Sequence, residues 1–168
     1  MNKLSDELLK LAVRAGLCAE HTQQWNRDWS EEELLNYYKT NPNWCLERRF
    51  PSLDLMRKYF KTPLAKNKGV YIDDYVTMRA DGLCYIFNNC TVGVITGGVS
   101  RFYFGLGSIG KIIVEDGADC VIDYYDDSQI EVELRGKARL TVYRYGNKDI
   151  SIIGGTNYKV RDKRKREH

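Results

Sequence analysis

Apolar residues return at every tenth position through the C-terminal half of this chain. Phe102, Ile112, Ile122, Val132, Val142 and Ile152 form one column of the beat, with Gly107, Gly117, Asp127, Lys137 and Asn147 at its turns. Short strands with one apolar side can bury it only against further strands, so the beat predicts a repeating β architecture. Within each ten-residue block the apolar positions are even-numbered: Ser100, Phe102 and Phe104; Gly110, Ile112 and Val114; Cys120, Ile122 and Tyr124; Ile130, Val132 and Leu134; Leu140, Val142 and Arg144; then Ile150 and Ile152. The same period of two begins at Val70, Ile72 and Val76 and continues through Cys84 and Ile86, then Cys90, Val92 and Val94. The intervening odd positions include Arg101, Lys111, Glu115, Asp123, Glu131, Glu133, Arg135 and Thr141, the polar face of strands covered on one side.

An antiparallel meander and a β-solenoid can both produce this pattern, and parity separates them in part. Across a two-residue hairpin the inward set flips between even and odd positions, whereas here the even set persists through every turn. A coil of about twenty residues also stacks Lys111 on Glu131, Glu115 on Arg135 and Tyr125 on Tyr145, pairs that support adjacent strands. The reading is therefore α+β: a helical N-terminal unit followed by a single-stranded β-helix, with about ten residues per strand and turn and about twenty per coil. It requires Ile112 to lie beside Val132 and Ile152, and Ile122 beside Phe102 and Val142.

Before residue 69 the spacing is helical. Leu4, Leu8, Leu11, Ala12 and Ala15 with Ser5 as cap predict a helix over 5–15, stopped by Gly16; a second occupies 18–28. Ser30 and Glu33 form a capping box opening a third helix through Leu34, Leu35 and Tyr38, ended by Asn41 and Pro42. Pro51 and Ser52 introduce a short fourth through Leu53, Leu55, Met56, Tyr59 and Phe60, before the Lys-rich stretch 61–68. The chain thus divides into a helical unit at 1–68, which would cap one end of the solenoid, the solenoid at 69–158, and a basic tail at 159–168. Trp25 and Trp29 share a helix face in this reading and, with Trp44, Tyr37 and Tyr38, are assigned to the core of the small helical unit.

The blocks SQIEVELRG and KARLTVYRYG, preceded by tryptophan-bearing helices and the Pro-Ser helix start of FPSLDLMRKYF, resemble uncharacterised bacterial proteins that join a small helical unit to a right-handed β-helix. The repeat alone is also similar to that of bactofilins, polymerising β-helical cytoskeletal proteins, which lack a helical unit of this size. Neither resemblance transfers a functional residue.

Charge is uneven. Residues 1–69 carry 12 basic and 9 acidic groups, residues 70–158 carry 8 and 12, and the last ten carry 6 and 2. An acidic repeat does not present the basic stripe of a duplex-binding surface, so nucleic acid is a partner only through the tail KVRDKRKREH, which could instead fold over the last coil and protect its edge. No apolar run approaches the ~18 residues of a membrane helix, and no secretory leader pattern opens the chain, so a cytoplasmic location without membrane association is expected.

Five cysteines without close pairs suit reduced thiols; Cys84, Cys90 and Cys120 share the inward parity and read as core. His21 and Cys18 make a single Cys-x-x-His pair, short of a zinc signature, and no metal or cofactor is implied. Carboxylates are the one candidate for catalysis. Tyr103, Asp123, Glu133 and Tyr143 share an outward column of the ten-residue beat, an acidic and aromatic strip suited to a glycan. The expected function is a non-catalytic structural or protein-interaction module that meets a protein partner or a second copy; the alternative is a carbohydrate-binding or carbohydrate-active β-helix using that strip.

Overall fold

A computed structural model describes residues 2–80, 82 and 84–164. Contacts divide the chain into two units, Met1–Ala65 and Lys66–His168.

The first unit holds α1 (Lys3–Arg14), α2 (Ala19–Gln24), α3 (Glu31–Thr40), α4 (Pro42–Glu47) and α5 (Leu53–Tyr59); α6 (Pro63–Asn67) spans the boundary. Asn2, not Ser5, caps α1, its side chain accepting the Leu4 amide at 3.0 Å. Ser5 is fully buried instead: its hydroxyl donates to the Asn26 carbonyl at 2.8 Å and accepts Trp25 Nε1 at 3.0 Å. The second helix stops at Gln24, so Trp25 and Trp29 meet through the following loop and not along a helix face, their ring centroids 5.0 Å apart, with Tyr37 4.9 Å from Trp25. The expected capping box of α3 is formed: the Ser30 amide donates to Glu33 Oε2 at 2.7 Å and the Glu33 amide to Ser30 Oγ at 3.3 Å. Helix α3 ends at Thr40 as expected, but Pro42 also opens α4, and Pro63 opens α6 within the Lys-rich stretch, because the first turn has no use for the N–H that proline lacks.

The second unit is a β-solenoid. Its strands are β1 (Val70–Ile72), β2 (Tyr75–Ala80), β3 (Cys84–Asn88), β4 (Thr91–Thr96), β5 (Val99–Gly105), β6 (Ile109–Val114), β7 (Asp119–Tyr124), β8 (Gln129–Leu134), β9 (Arg139–Arg144), β10 (Ser151–Ile153) and β11 (Tyr158–Asp162). Odd-numbered strands form one parallel sheet, β1-β3-β5-β7-β9-β11, and even-numbered strands a second, β10-β8-β6-β4-β2. Ile112 lies opposite Val132 and Val132 opposite Ile152, while Ile122 lies between Phe102 and Val142, as the period of twenty requires.

The coils are not uniform. The step between stacked strands is 16 residues from Val76 to Val92, 17 from Tyr85 to Phe102, 18 from Val94 to Ile112 and 20 from Ile112 to Val132. The 17-residue step inverts parity in the first coils. Tyr71, Phe87, Phe104 and Tyr124 therefore form a single column lining the core, and Val70, Ile72, Cys84 and Ile86, expected inward, belong to the opposite face of their strands. Cys84 is accordingly only half-buried, whereas Cys90 and Cys120 lie in the core.

Tight corners join the strands. At the fourth position of each, Ser108, Ala118, Ser128 and Ala138 are at most 1% exposed, and each returns its amide to the carbonyl three residues earlier. Gly117 has a φ of +78°, a conformation that costs a side-chain-bearing residue energy and glycine almost none. The tail begins later than expected, since residues 158–162 form the last strand, β11, which lies along β9. Residues 165–168 of the tail lie outside the described residues.

Candidate interaction site

The four residues of the expected ligand strip do not converge. Tyr103, Asp123 and Tyr143 are in-register neighbours on β5, β7 and β9. Glu133 is on β8 in the other sheet, opposite Ile113 and Ile153, with its carboxylate 2.7 Å from Arg135 Nε. Ten residues are half a coil, so positions ten apart alternate between sheets, and Asp123 and Glu133 cannot flank one glycosidic bond.

Asp123 is itself occupied. Its side chain is 1% exposed, and both oxygens are held by Arg101, Nε to Oδ2 at 2.9 Å and Nη2 to Oδ1 at 3.2 Å. The Arg101 guanidinium also lies 5.0 Å from the Tyr103 ring centroid and 5.8 Å from that of Tyr143. Burial raises the Asp123 carboxyl above its ordinary value, with Arg101 opposing the shift, and burial raises the Tyr103 hydroxyl too. Chemically this cluster is a locked ion pair between aromatic rings. A general acid or base must reach a substrate proton, and no oxygen of Asp123 is presented for that. Among the described residues no group of three or more metal-ligating side chains gathers either, and no helix is long and apolar enough to cross a membrane.

The second sheet carries one of the two stacked ion pairs that the period implied. Lys111 Nζ lies 3.4 Å from Glu131 Oε1. Glu115 pairs not with Arg135 but with Arg79. On the first sheet Tyr125 stacks on Tyr145, centroids 4.6 Å apart and planes within 10°.

The last coil differs from all of these. Among the described residues strand β10 pairs only with β8 and β11 only with β9, so each ends its sheet with one unpaired edge. The inward columns nevertheless continue onto them with apolar residues: Ile152 follows Val132, Tyr158 follows Leu140, and Val160 follows Val142. One layer earlier these columns are closed, with Val132 and Val142 at 0% exposure; at the end Val160 is 44% and Tyr158 43% exposed. The turn 154–157 covers part of this end. Gly154, at φ +90°, lies so close to Leu134 that an added Cβ would sit 2.4 Å from the Leu134 carbonyl oxygen, so only glycine lets the chain turn across that corner. Beyond the turn, β11 alternates Lys159 and Arg161 with the apolar residues, and Lys163 follows. Arg161 lies 5.7 Å and Lys163 6.0 Å from the Tyr143 ring centroid.

The alternation of Tyr158 and Val160 was legible in the sequence but masked by the basic residues between them, which read as a basic tail. Compared with protein-family models, with curated proteins and with solved structures, the chain matches none of them.

Proposed function

We propose that this chain is a non-catalytic protein-interaction module whose last coil receives an extended, acidic segment of a partner protein as an added strand. The observation that carries the reading is the apolar continuation of half-buried Ile152 and exposed Tyr158 and Val160 onto strands whose outer edges are unpaired among the described residues. Solenoid ends need a polar cap, and a sheet edge offers a row of backbone donors and acceptors to an incoming strand. Charge selects the partner. A second copy presenting the same strand would set Lys159, Arg161 and Lys163 against their equivalents, whereas carboxylates alternating along a partner segment would meet them favourably.

An alternating Val-Glu octapeptide is a suitable probe. Titrated into the full chain at millimolar concentration, it should shift amide resonances at residues 151–162 and protect β11 from hydrogen exchange, and Val160→Pro should abolish both. Absence of any change at β11 would overturn the reading. Concentration-dependent oligomers in light scattering, abolished by Val160→Pro, would replace the partner segment by a second copy.

A further inference from the structure

The helical unit contains the only exposed cysteine among the described residues, and it meets a histidine. Gly16 ends the first helical stretch, and Cys18 then immediately precedes α2, so His21 lies one turn on. Residues three apart on a helix are neighbours, and here Cys18 Sγ is 2.9 Å from His21 Nδ1. Both side chains line a cavity of about 170 Å³ together with Tyr37 of α3, Asn41 between α3 and α4, and Trp44 of α4.

The ionisable groups around the sulfur are few. Glu20 and His21 belong to its own helix, Tyr37 faces it from α3, Cys45 of α4 lies behind Tyr37, and Arg48 closes the Gly16 side, donating from Nη1 to the Ala15 carbonyl at 3.2 Å. His21, through its backbone amide first and its imidazole second, holds the Cys18 thiol below its ordinary value, and Cys18 in turn holds the imidazole above its own. The buried thiols behave oppositely: burial pushes Cys90 up to about 11 and raises Cys45 and Cys120 as well.

We propose that Cys18 and His21 are a reactive thiolate–imidazolium pair that a small hydroperoxide oxidises stoichiometrically. The Cys18 thiolate attacks the outer peroxide oxygen, so that a sulfur–oxygen bond forms as the oxygen–oxygen bond breaks. The departing oxygen takes the imidazolium proton. Sulfur is oxidised by two electrons to the sulfenic acid, the peroxide is reduced to water or an alcohol, and His21 is left neutral. Acyl transfer would require donors aimed at a developing oxyanion, and Asn41, the cavity's one amide side chain, already donates from Nδ2 to the Tyr37 carbonyl at 3.0 Å and to Thr40 Oγ1 at 3.1 Å. A hydroperoxide needs no such cradle, only the proton His21 holds.

Timed alkylation of the reduced full chain with iodoacetamide, read by peptide mass mapping, tests the pair. Cys18 should be modified before the other cysteines, its rate reaching a plateau at lower pH than that of a free thiol, while His21→Gln should slow it several-fold at neutral pH and move the rise back toward the ordinary thiol range. A wild-type Cys18 rate that climbs through pH 8–9 like a free thiol would overturn the pair without recourse to any variant. Micromolar hydrogen peroxide with dimedone should then label Cys18 alone in the wild type and nothing in Cys18→Ser. Rapid alkylation without a dimedone adduct would overturn the hydroperoxide assignment.

Discussion

Arg101–Asp123 on the first sheet and Lys111–Glu131 on the second are both ion pairs between outward residues of neighbouring coils, carried by the same parallel geometry. Their surroundings differ. Side-chain exposure is 41% and 1% in the first pair but 65% and 49% in the second. A repeat fixes which residues stand beside one another, whereas the medium around them decides what the contact is worth. In the first pair a carboxylate has left water and depends on one guanidinium; in the second each charge keeps its hydration and contributes little by pairing.

The largest effect should therefore follow loss of the cation from the buried pair. Arg101→Met leaves Asp123 buried without its partner and should cost about 3–5 kcal/mol in urea unfolding at pH 7. The deficit should shrink as pH falls, because protonating Asp123 removes the stranded charge. A deficit independent of pH would show that packing of the arginine stem is responsible instead.

Asp123→Asn should cost less, about 1–3 kcal/mol, since the half-exposed guanidinium can turn to water. Its pH dependence is distinct. The folded-state value of Asp123 is raised, so its contribution to stability is full below the unfolded value and lost as pH rises through the folded one. Wild-type stability relative to Asp123→Asn should accordingly decline as pH is raised through the acid range, measured by urea midpoints from pH 3 to 6.

Between the extremes stands the Tyr125–Tyr145 stack, which joins coils without charge. A double-mutant cycle to alanine should return about 0.5–1.5 kcal/mol of coupling, insensitive to salt. The smallest effect belongs to Lys111–Glu131: a cycle there should give below about 1 kcal/mol, vanishing in molar salt. Equal coupling in the two ion pairs would break the comparison.

The sequence revealed the later coils far better than the earlier ones. From Val99 to Ile153 every step between stacked strands is twenty residues, and only the final one, from Leu140 to Tyr158, is eighteen, so alternation alone places Ile112, Val132 and Ile152 together. Earlier, the single seventeen-residue step moves the strands before it by an odd number, and Ile86 and Cys84 exchange faces with Phe87 and Tyr85 although all four resemble inward residues in composition. Corner packing left a readable trace in the small residues at 108, 118, 128 and 138, a second ten-residue beat hidden beneath the apolar one. Of the glycan strip, adjacency on one sheet was legible for Tyr103, Asp123 and Tyr143, but the position of Glu133 required counting half-coils. The Cys18–His21 contact was implicit in their spacing; its depth against Tyr37 and Trp44 depends on helix α4, which begins at a proline and so reads as a break.

The constant twenty-residue step has an evolutionary consequence. A tandem duplication of residues 112–131 would insert one complete coil, returning each strand to its sheet and each corner to a small residue, and extending the Lys111–Glu131 column by one further glutamate. The later half of the gene can thus change its product's length in whole quanta without disturbing what lies on either side, while the unequal early coils cannot be copied in this way. Variation in coil number among descendants of such a gene should arise after Val99 and leave the first coils fixed.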